Sequence, residues 1–277
     1  MAGVRRERIL ILCKTYPSPS GKHAETSCVA GMTTDGALIR LFPVPFRLIR
    51  DEQQFKKWQW ISAQIYKAND DRRPESYKIY VDTINVDGAP ISSNNAWDAR
   101  RRELSKLQLF TDFRELDYAR EAEGITLGLL RPTNVLGLDI TPVDDPNWTD
   151  EELKKLLQHE QQAGLFDEKD AGAIRTLRKL PFAFHYRYEC EIEGKMRNYR
   201  HKIADWEIGA LYWNCHQRYG DAWESPFREK VEQSLPSKDL MFLMGTIHRF
   251  PDQWLIVSVI YPPHERAGAM VQTELAF

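Results

Sequence analysis

The stretch ETSCVAGMTTDGALIRLF, residues 25–42, decides how the N-terminal part of the chain folds. Two strand-like runs, 25–32 and 37–42, flank the turn signal Thr34-Asp35-Gly36. Asp-Gly between such runs is the strongest short-range hairpin signal, because a type I′ turn needs positive φ at its two central residues. We therefore predict two antiparallel strands joined by a tight turn at this point.

Further strand-like runs lie on both sides of the hairpin. Residues 8–14 form a short apolar run, and residues 60–66 and 77–86 alternate apolar with polar side chains. Such alternation has the period of a strand with one buried face. Five short strands with tight turns predict a small β-barrel-like unit over residues 1–90, or a strongly bent sheet.

The middle of the chain, residues 91–170, has a different character. Apolar side chains from 97 to 122 recur at helical spacing. From 144 to 170 nine acidic residues stand against three lysines, and Thr149 followed by Glu152 is typical of a capped helix start. We predict a helical and acidic connector here.

The last part, residues 171–277, is predicted to form a mixed sheet with flanking helices, which makes the whole chain α+β. Aromatic and polar side chains alternate from 182 to 192, and Asp205 stands where its carboxylate can cap a helix. The nearly unbroken apolar runs 240–247 and 254–261 predict two strands at the centre of this sheet.

The charges are strongly segregated along the chain, although 38 basic and 40 acidic residues give a net charge of −2. Residues 1–60 carry ten basic and five acidic residues (+5), and residues 171–202 carry eight and three (+5). Between them, residues 144–170 sum to 3 − 9 = −6. Near-neutrality argues against binding of nucleic acid through bulk positive charge, but a local basic face remains compatible with it.

Both basic segments are interleaved with aromatic residues. Cations attract phosphates and aromatic faces stack on unpaired bases, so the leading hypothesis is a protein that binds single-stranded or structured DNA or RNA. The competing interpretation is an aromatic core with ordinary surface cations. The arginines and lysines proposed to hold phosphates are Arg40, Arg47, Lys56 and Lys57 in the first segment and Arg187, Arg197, Arg200 and Lys202 in the second. Trp58 and Tyr199 are proposed to stack on bases.

The alternative hypothesis is an enzyme that acts on a nucleotide or a phosphodiester, with Mg²⁺ as its cofactor if it is nuclease-like. Acidic residues at a helix start also serve as caps, which is the structural explanation for Asp205 and Glu207. No nucleotide-binding glycine motif is present. The candidate catalytic residues are Lys14, His23, Glu25, His201, Asp205 and Glu207. A third possibility is a protein-interaction subunit whose basic segments dock an acidic partner.

The four cysteines form no C-x-x-C pair, which is ordinary for a reducing compartment. Cys190, His201, Cys215 and His216 are the right residue types for zinc, but their spacings match no compact zinc site, so no metal site is predicted. No apolar run approaches the length that spans a bilayer. We expect a soluble cytoplasmic protein with no resident cofactor.

Overall fold

The computed structural model describes residues 3–16, 27–46, 49, 51–147, 149 and 178–264. Helices and strands both occur, as an α+β chain requires. The N-terminal strands are β1 (Arg5–Lys14), β2 (Ser27–Thr33), β3 (Leu38–Val44), β4 (Trp60–Lys67), β5 (Ser76–Ile79) and β6 (Asn85–Asp87). The later elements are α1 (Asn94–Leu104), β7 (Leu109–Phe110), α2 (Phe113–Glu123), β8 (Leu127–Leu130), β9 (Asn134–Pro142), β10 (Phe182–Ile192), β11 (Lys195–Lys202), α3 (Trp206–Tyr219), α4 (Glu224–Arg228), β12 (Met241–Ile247) and β13 (Phe250–Ile260).

The N-terminal strands form a closed five-stranded barrel, which confirms the barrel-like prediction. The strand order is β1-β2-β3-β5-β4, and pairing of β4 with β1 closes the ring. Strands β3 and β5 run parallel, and the other neighbours are antiparallel. The predicted strand over 77–86 is shorter, because a 3₁₀ turn at Val81–Thr83 separates β5 from β6.

The predicted hairpin is confirmed, but its turn differs from the predicted type. Met32 pairs with Leu38, and Gly36 donates its N–H to the carbonyl of Thr33. Gly36 alone has positive φ (91°), whereas a type I′ turn would also need Asp35 there. The loop has three residues instead of the two of a type I′ turn, and a three-residue hairpin loop needs positive φ only at its last residue, so one glycine is sufficient.

The rest of the described chain forms two sheets and four α-helices, with a 3₁₀ turn at Gly220–Trp223 and a π-helical segment at Glu229–Ser234 on either side of α4. One sheet has the order β11-β10-β9 and is antiparallel. The other has the order β13-β12-β8-β7, with only β7 and β8 parallel. Thus β12 is internal as predicted, while β13 is at the edge of its sheet and is flanked by a bridge from Ile203 to Ile256.

The four-stranded sheet lies between the barrel and the rest of the chain, which explains the unbroken apolar runs. In β12, Met241 and Leu243 pack toward the outer wall of the barrel, and Phe242 and Met244 pack the opposite way. Strand β1 is likewise buried on both faces, with Ile9 inside the barrel and neighbouring apolar residues against the sheet. A strand covered on both faces needs no polar alternation.

The helical interpretation of 97–122 separates into two helices, α1 and α2, with the short strand β7 between them. The acidic segment 144–170 lies almost entirely outside the described residues. The predicted cap of α3 is confirmed, because the Asp205 carboxylate accepts the N–H of Glu207 at 2.8 Å. No helix in the described ranges has the length and apolar character needed to cross a bilayer.

Candidate ligand cavity beside the barrel

A cavity of about 350 Å³ lies where the barrel meets the start of α3. Its volume is at the small end of the range typical of ligand pockets, roughly 300 to 1,000 Å³. The wall combines cations, carboxylates and large aromatic side chains from five separate parts of the chain. The lining residues are Lys14, Lys56, Lys57, Trp58, Pro90, Trp97, Arg100, Asp205, Trp206, Glu207 and Tyr261.

Backbone contacts bring the end of β1 to the start of α3. Thr15 forms a β-bridge with Asp205, and the Tyr16 N–H donates to the carbonyl of Ala204 at 2.9 Å. The Tyr16 hydroxyl also accepts the indole N–H of Trp213, from the body of the helix, at 2.9 Å. These bonds hold Lys14 and the cap of α3 at the same cavity, although they are far apart in sequence.

Lys57 is the centre of a buried ionic network on one side of the cavity. Its ammonium donates to Glu207 and to the carbonyl of Val259, both at 2.9 Å, and lies 3.6 Å from Asp205. Burial alone would lower the pKa of Lys57, but the two carboxylates raise it above its ordinary value. Burial in turn raises the pKa of Asp205, against the effect of the ammonium. The ammonium of Lys57 is therefore charged and paired within the protein, with Glu207 and Asp205.

Lys14 lies in a different environment within the same cavity. Its ammonium is 3.7 Å from the ring centre of Phe46 and 5.3 Å from that of Trp206. Its hydrogen-bond acceptor is the carbonyl of Phe55, at 3.2 Å, and no carboxylate of the described residues pairs with it. Burial lowers the pKa of Lys14 to about 8, so the amine is mostly charged at pH 7 but about a tenth of it is uncharged, far more than for an ordinary lysine.

An aromatic wall with unusual backbone geometry faces these lysines. Trp58 has φ of 66° and Trp97 has φ of 69°, a region that bulky residues rarely occupy. Their rings meet edge to face at 5.4 Å, and the guanidinium of Arg100 lies over both, at 4.9 and 4.6 Å from their centres. Tyr261 extends the wall 5.6 Å from Trp97. Left-handed backbone at such positions is typical of functional sites, where surrounding contacts hold it in place.

The charge of the cavity favours an anion. Four basic and two acidic side chains line it, which sums to 4 − 2 = +2. Lys57 already neutralises part of the two carboxylates, so the cations left for a ligand are Lys14, Lys56 and Arg100. Lys56 is exposed, and Arg100 uses only its Nε, donating to Ile91, among the described hydrogen bonds. An anion with an aromatic or otherwise flat group matches this lining.

The cavity unites residues from both sequence-based site hypotheses. Lys14, Asp205 and Glu207 come from the catalytic set, and Lys56, Lys57 and Trp58 come from the nucleic-acid set. Trp58 is 3% exposed, so it supports the wall rather than offering a free face for stacking. His23, Glu25 and Arg47 lie outside the described residues.

His201 is not among the cavity residues. It lies on the core-facing side of β11, where its ring is 4.6 Å from that of Phe113 and its Nδ1 shares a hydrogen bond with the Tyr188 hydroxyl at 3.0 Å. Burial lowers the pKa of His201 to about 4, so the ring is neutral at physiological pH. This geometry gives it a structural role.

Arg40 is buried, which is inconsistent with its predicted place on a nucleic-acid surface. It is 3% exposed, forms an ion pair with Glu75 at 3.3 Å and donates to the carbonyl of Thr126 at 3.0 Å. Thr126 precedes β8, so the guanidinium links the barrel to the four-stranded sheet. The positive charge of Arg40 is therefore paired with Glu75 inside the protein and is not presented on the surface.

The second basic segment is divided between the two faces of its sheet. Arg187 and Arg200 are directly opposite one another on the exposed face, and both pair with Asp139, at 2.9 and 2.7 Å. Lys202 is exposed on the same strand, as is Arg197 near the hairpin turn. Tyr199 points the other way and packs 5.0 Å from Phe113, because adjacent residues of a strand alternate in direction. It therefore does not share a surface with Arg200.

Four residues of the cavity were not predicted from the sequence as site residues, namely Trp97, Arg100, Trp206 and Tyr261. Helical spacing gives no reliable signal for Trp97 and Arg100, because Trp97 has left-handed backbone and lies outside the right-handed part of α1. Nothing in the local sequence connects them to Trp58 or Tyr261. Within the described ranges, no group of three or more His, Cys, Asp or Glu side chains is arranged to hold a metal ion.

Residues 108–275 match a family model described as Domain of unknown function (DUF8757). That match covers more than half of the chain. The chain belongs to the DUF8757 family. A second model, Domain of unknown function (DUF8758), matches residues 5–106, and comparison with curated proteins finds no match. The cavity is built from both regions, with Lys14 and Arg100 from the DUF8758 match and Asp205 and Tyr261 from the DUF8757 match. The domain boundaries predicted near residues 90 and 170 remain predictions.

Proposed function

We propose that the protein binds a nucleoside phosphate in this cavity, either as a free nucleotide or as one residue of a single-stranded nucleic acid. The observation that carries the proposal is the convergence of Lys14, Lys56 and Arg100 with the aromatic wall around one cavity of +2 formal charge. Lysine and arginine bind phosphate oxygens by charge-assisted hydrogen bonds. Aromatic faces stack on a base of any sequence.

The arrangement gives each part of such a ligand a place. Lys56 and the free Nη atoms of Arg100 hold the phosphate near the cavity mouth, and the half-buried Trp97 and Tyr261 offer a surface to the base. The Glu207 side chain, about half exposed at 51%, accepts hydrogen bonds from sugar hydroxyls or an exocyclic amine. A cavity of this size fits one nucleotide, so neighbouring residues of a strand extend outside it.

The barrel itself favours this cavity over the usual surface of such barrels. Five-stranded barrels of the OB type bind oligonucleotides over their second and third strands. Here Ala30 and Met32 of β2 pack with Met241 and Leu243 of β12 in one apolar cluster, so that face is covered by the four-stranded sheet. A ligand that uses the barrel reaches it at the ends of the strands, where Lys14 lies.

Equilibrium binding measured by quenching of the cavity tryptophans tests the proposal. The ligands are AMP, adenosine and a short single-stranded oligonucleotide at about 50 mM salt. We expect AMP to bind more tightly than adenosine, and binding of both charged ligands to weaken as salt rises. Tighter binding of the oligonucleotide than of AMP identifies a strand as the natural source, and the reverse identifies a free nucleotide.

Two variants at the cavity mouth localise the site. Lys56→Gln and Arg100→Gln each remove one phosphate contact, and we expect AMP binding to weaken by roughly 10-fold to 150-fold, because a hydrogen bond to a charged group contributes about 1.5 to 3 kcal/mol. The matched control is Arg187→Gln on the exposed face of β10. Absence of AMP and oligonucleotide binding, or equal losses in all three variants, would show that the cavity is not the site.

A further inference from the structure

Two lysines of the cavity differ in their electrostatic environments. Lys57 is held by two carboxylates and a backbone carbonyl, whereas Lys14 has the rings of Phe46, Phe55 and Trp206 around it and one carbonyl acceptor. A lysine desolvated in an apolar pocket is the form that proteins use as an amine nucleophile. Lys57 is unsuited to that role because its ammonium is stabilised.

We propose that Lys14 is a nucleophilic amine that forms an imine with the aldehyde of a phosphorylated sugar bound in this cavity. This inference rests on the proposed phosphate-binding function of the cavity and extends it to a ligand in which an aldehyde takes the place of the base. The shared chemistry is an open-chain aldose with a phosphate, as in ribose 5-phosphate or at a position of a nucleic-acid strand that has lost its base.

The geometry assigns the parts of such a ligand to different residues. Lys56 and Arg100 hold the phosphate, and Lys14 lines the same cavity from the barrel side. In a strand, bases flanking the abasic position stack on Trp97 and Tyr261. The aromatic surroundings of Lys14 also exclude water, which favours the neutral amine and protects the imine from hydrolysis.

The chemistry needs no reactant besides the aldehyde. The neutral Lys14 nitrogen attacks the carbonyl carbon, a C–N bond forms as the C=O π bond breaks, and one amine proton passes to the oxygen to give a carbinolamine. The C–O bond then breaks as the nitrogen lone pair forms the C=N bond, and the second amine proton leaves with the hydroxyl as water. The net change is amine plus aldehyde to imine plus water. Uncharged amine is available because burial lowers the pKa of Lys14 to about 8.

Reductive trapping on the full-length protein tests this inference. Cyanoborohydride is added with ribose 5-phosphate, with ribose, or with an oligonucleotide that contains one abasic site, and the modified lysines are mapped by peptide mass spectrometry. At pH 7.5 we expect Lys14 to be modified on the order of tenfold or more faster than an exposed lysine such as Lys230. Ribose, without the phosphate, gives much less adduct. Whichever of ribose 5-phosphate and the abasic oligonucleotide labels Lys14 at the lower concentration shows whether the aldehyde comes from a free sugar phosphate or from a strand.

Variants and a parallel binding measurement separate the possible failures. Lys14→Arg keeps the charge but removes the nucleophile, so the adduct disappears, whereas Lys230→Arg keeps it. Mapping on the wild-type chain gives the same information if the Lys14 variant does not fold. AMP binding without a Lys14 adduct would overturn the imine and leave the proposed function standing. Equal labelling of Lys14 by ribose and ribose 5-phosphate would show that the phosphate is not recognised and would overturn the sugar-phosphate class. If the wild-type protein neither binds AMP nor forms a Lys14 adduct, both proposals are wrong.

Discussion

The cavity beside the barrel and the exposed face of the β9–β11 sheet are both rich in basic residues, but they differ in what the charges contact. On the sheet, Arg187 and Arg200 share the carboxylate of Asp139. In the cavity, Arg100 stacks on two tryptophans, and Lys14 has no carboxylate partner among the described residues. A cation that has no internal carboxylate remains available to an anionic ligand.

The two regions also differ in where their aromatic rings lie. Side chains alternate in direction along β10, so its aromatic rings lie in the core and its charged side chains lie outside. The sheet therefore separates the rings from the charges. The cavity draws its rings and cations from a loop, two helix starts and two strand ends, which all face one space. Interleaving in sequence is therefore a poor guide to a shared surface on a strand.

Arg40 represents the extreme case of a cation that is used internally, and its removal has the largest expected effect. Arg40→Met leaves the Glu75 carboxylate buried without its cation, which typically costs about 3 to 5 kcal/mol. We expect that loss in the free energy of unfolding, measured by urea denaturation, with m unchanged.

The double variant Arg40→Met/Glu75→Leu is the control, because it removes both charges together. It should recover much of the stability lost in the single variant. A loss below about 1 kcal/mol in Arg40→Met would mean that the pair is solvated and that Arg40 is available to a ligand after all.

His201 tests whether the inner face of the β9–β11 sheet is structural. Its pKa is lowered to about 4 in the folded protein, against an ordinary value of 6.5. Between these values the unfolded chain binds more protons, so the folded state loses stability as pH falls from about 6.5 to 4. The full shift corresponds to at most about 3 kcal/mol.

The measurement compares unfolding of the wild type and of His201→Gln by urea at pH 7 and pH 4.5. Glutamine keeps an acceptor for the Tyr188 hydroxyl but does not titrate in this range. The stability difference between the two proteins should shrink or reverse at the lower pH. A constant difference would indicate that His201 is solvated and that its face of the sheet is open.

The fold was largely predictable because its determinants are local. The turn at Gly36, the apolar run of β1 and the cap at Asp205 each follow from a few neighbouring residues. The opposite orientations of Tyr199 and Arg200 were also readable, since strand neighbours alternate in direction. The cavity was only partly predictable, because its wall depends on tertiary packing between distant segments.

Lys14 illustrates that limit of sequence reasoning. In the sequence, Lys14 stands at the start of a loop with His23 and Glu25, and all three were predicted to act on a phosphate ligand. In the structure its neighbours in the cavity are Trp206 and Glu207, which the β-bridge of Thr15 to Asp205 brings close. Pairing of segments so far apart in sequence has no local signature, so the lowered pKa of this amine was not foreseeable.

Trp97→Ala tests whether the aromatic wall of the cavity contacts a base. Loss of a stacking ring typically costs about 1 to 3 kcal/mol per base, so we expect AMP affinity to fall by roughly 5-fold to 150-fold. Ribose 5-phosphate affinity should fall less, because that ligand has no base. Isothermal titration calorimetry measures both, and Tyr118→Ala, at a residue that is 70% exposed on α2, is the aromatic control. Equal losses for the two ligands would show that Trp97 supports the fold of the cavity and does not contact the base.

The smallest effect is expected from the double variant Arg187→Gln/Arg200→Gln on the sheet. Both guanidinium groups are about half exposed and already paired with Asp139, so their removal leaves one solvated carboxylate and costs little stability. AMP affinity should change less than twofold. For a single-stranded oligonucleotide, each phosphate contact contributes about 0.7 to the slope of log affinity against log salt. An unchanged slope confines binding to the cavity, whereas a slope reduced by about 1.4 would show that the strand also crosses the sheet, and the contrast between the two regions would then fail.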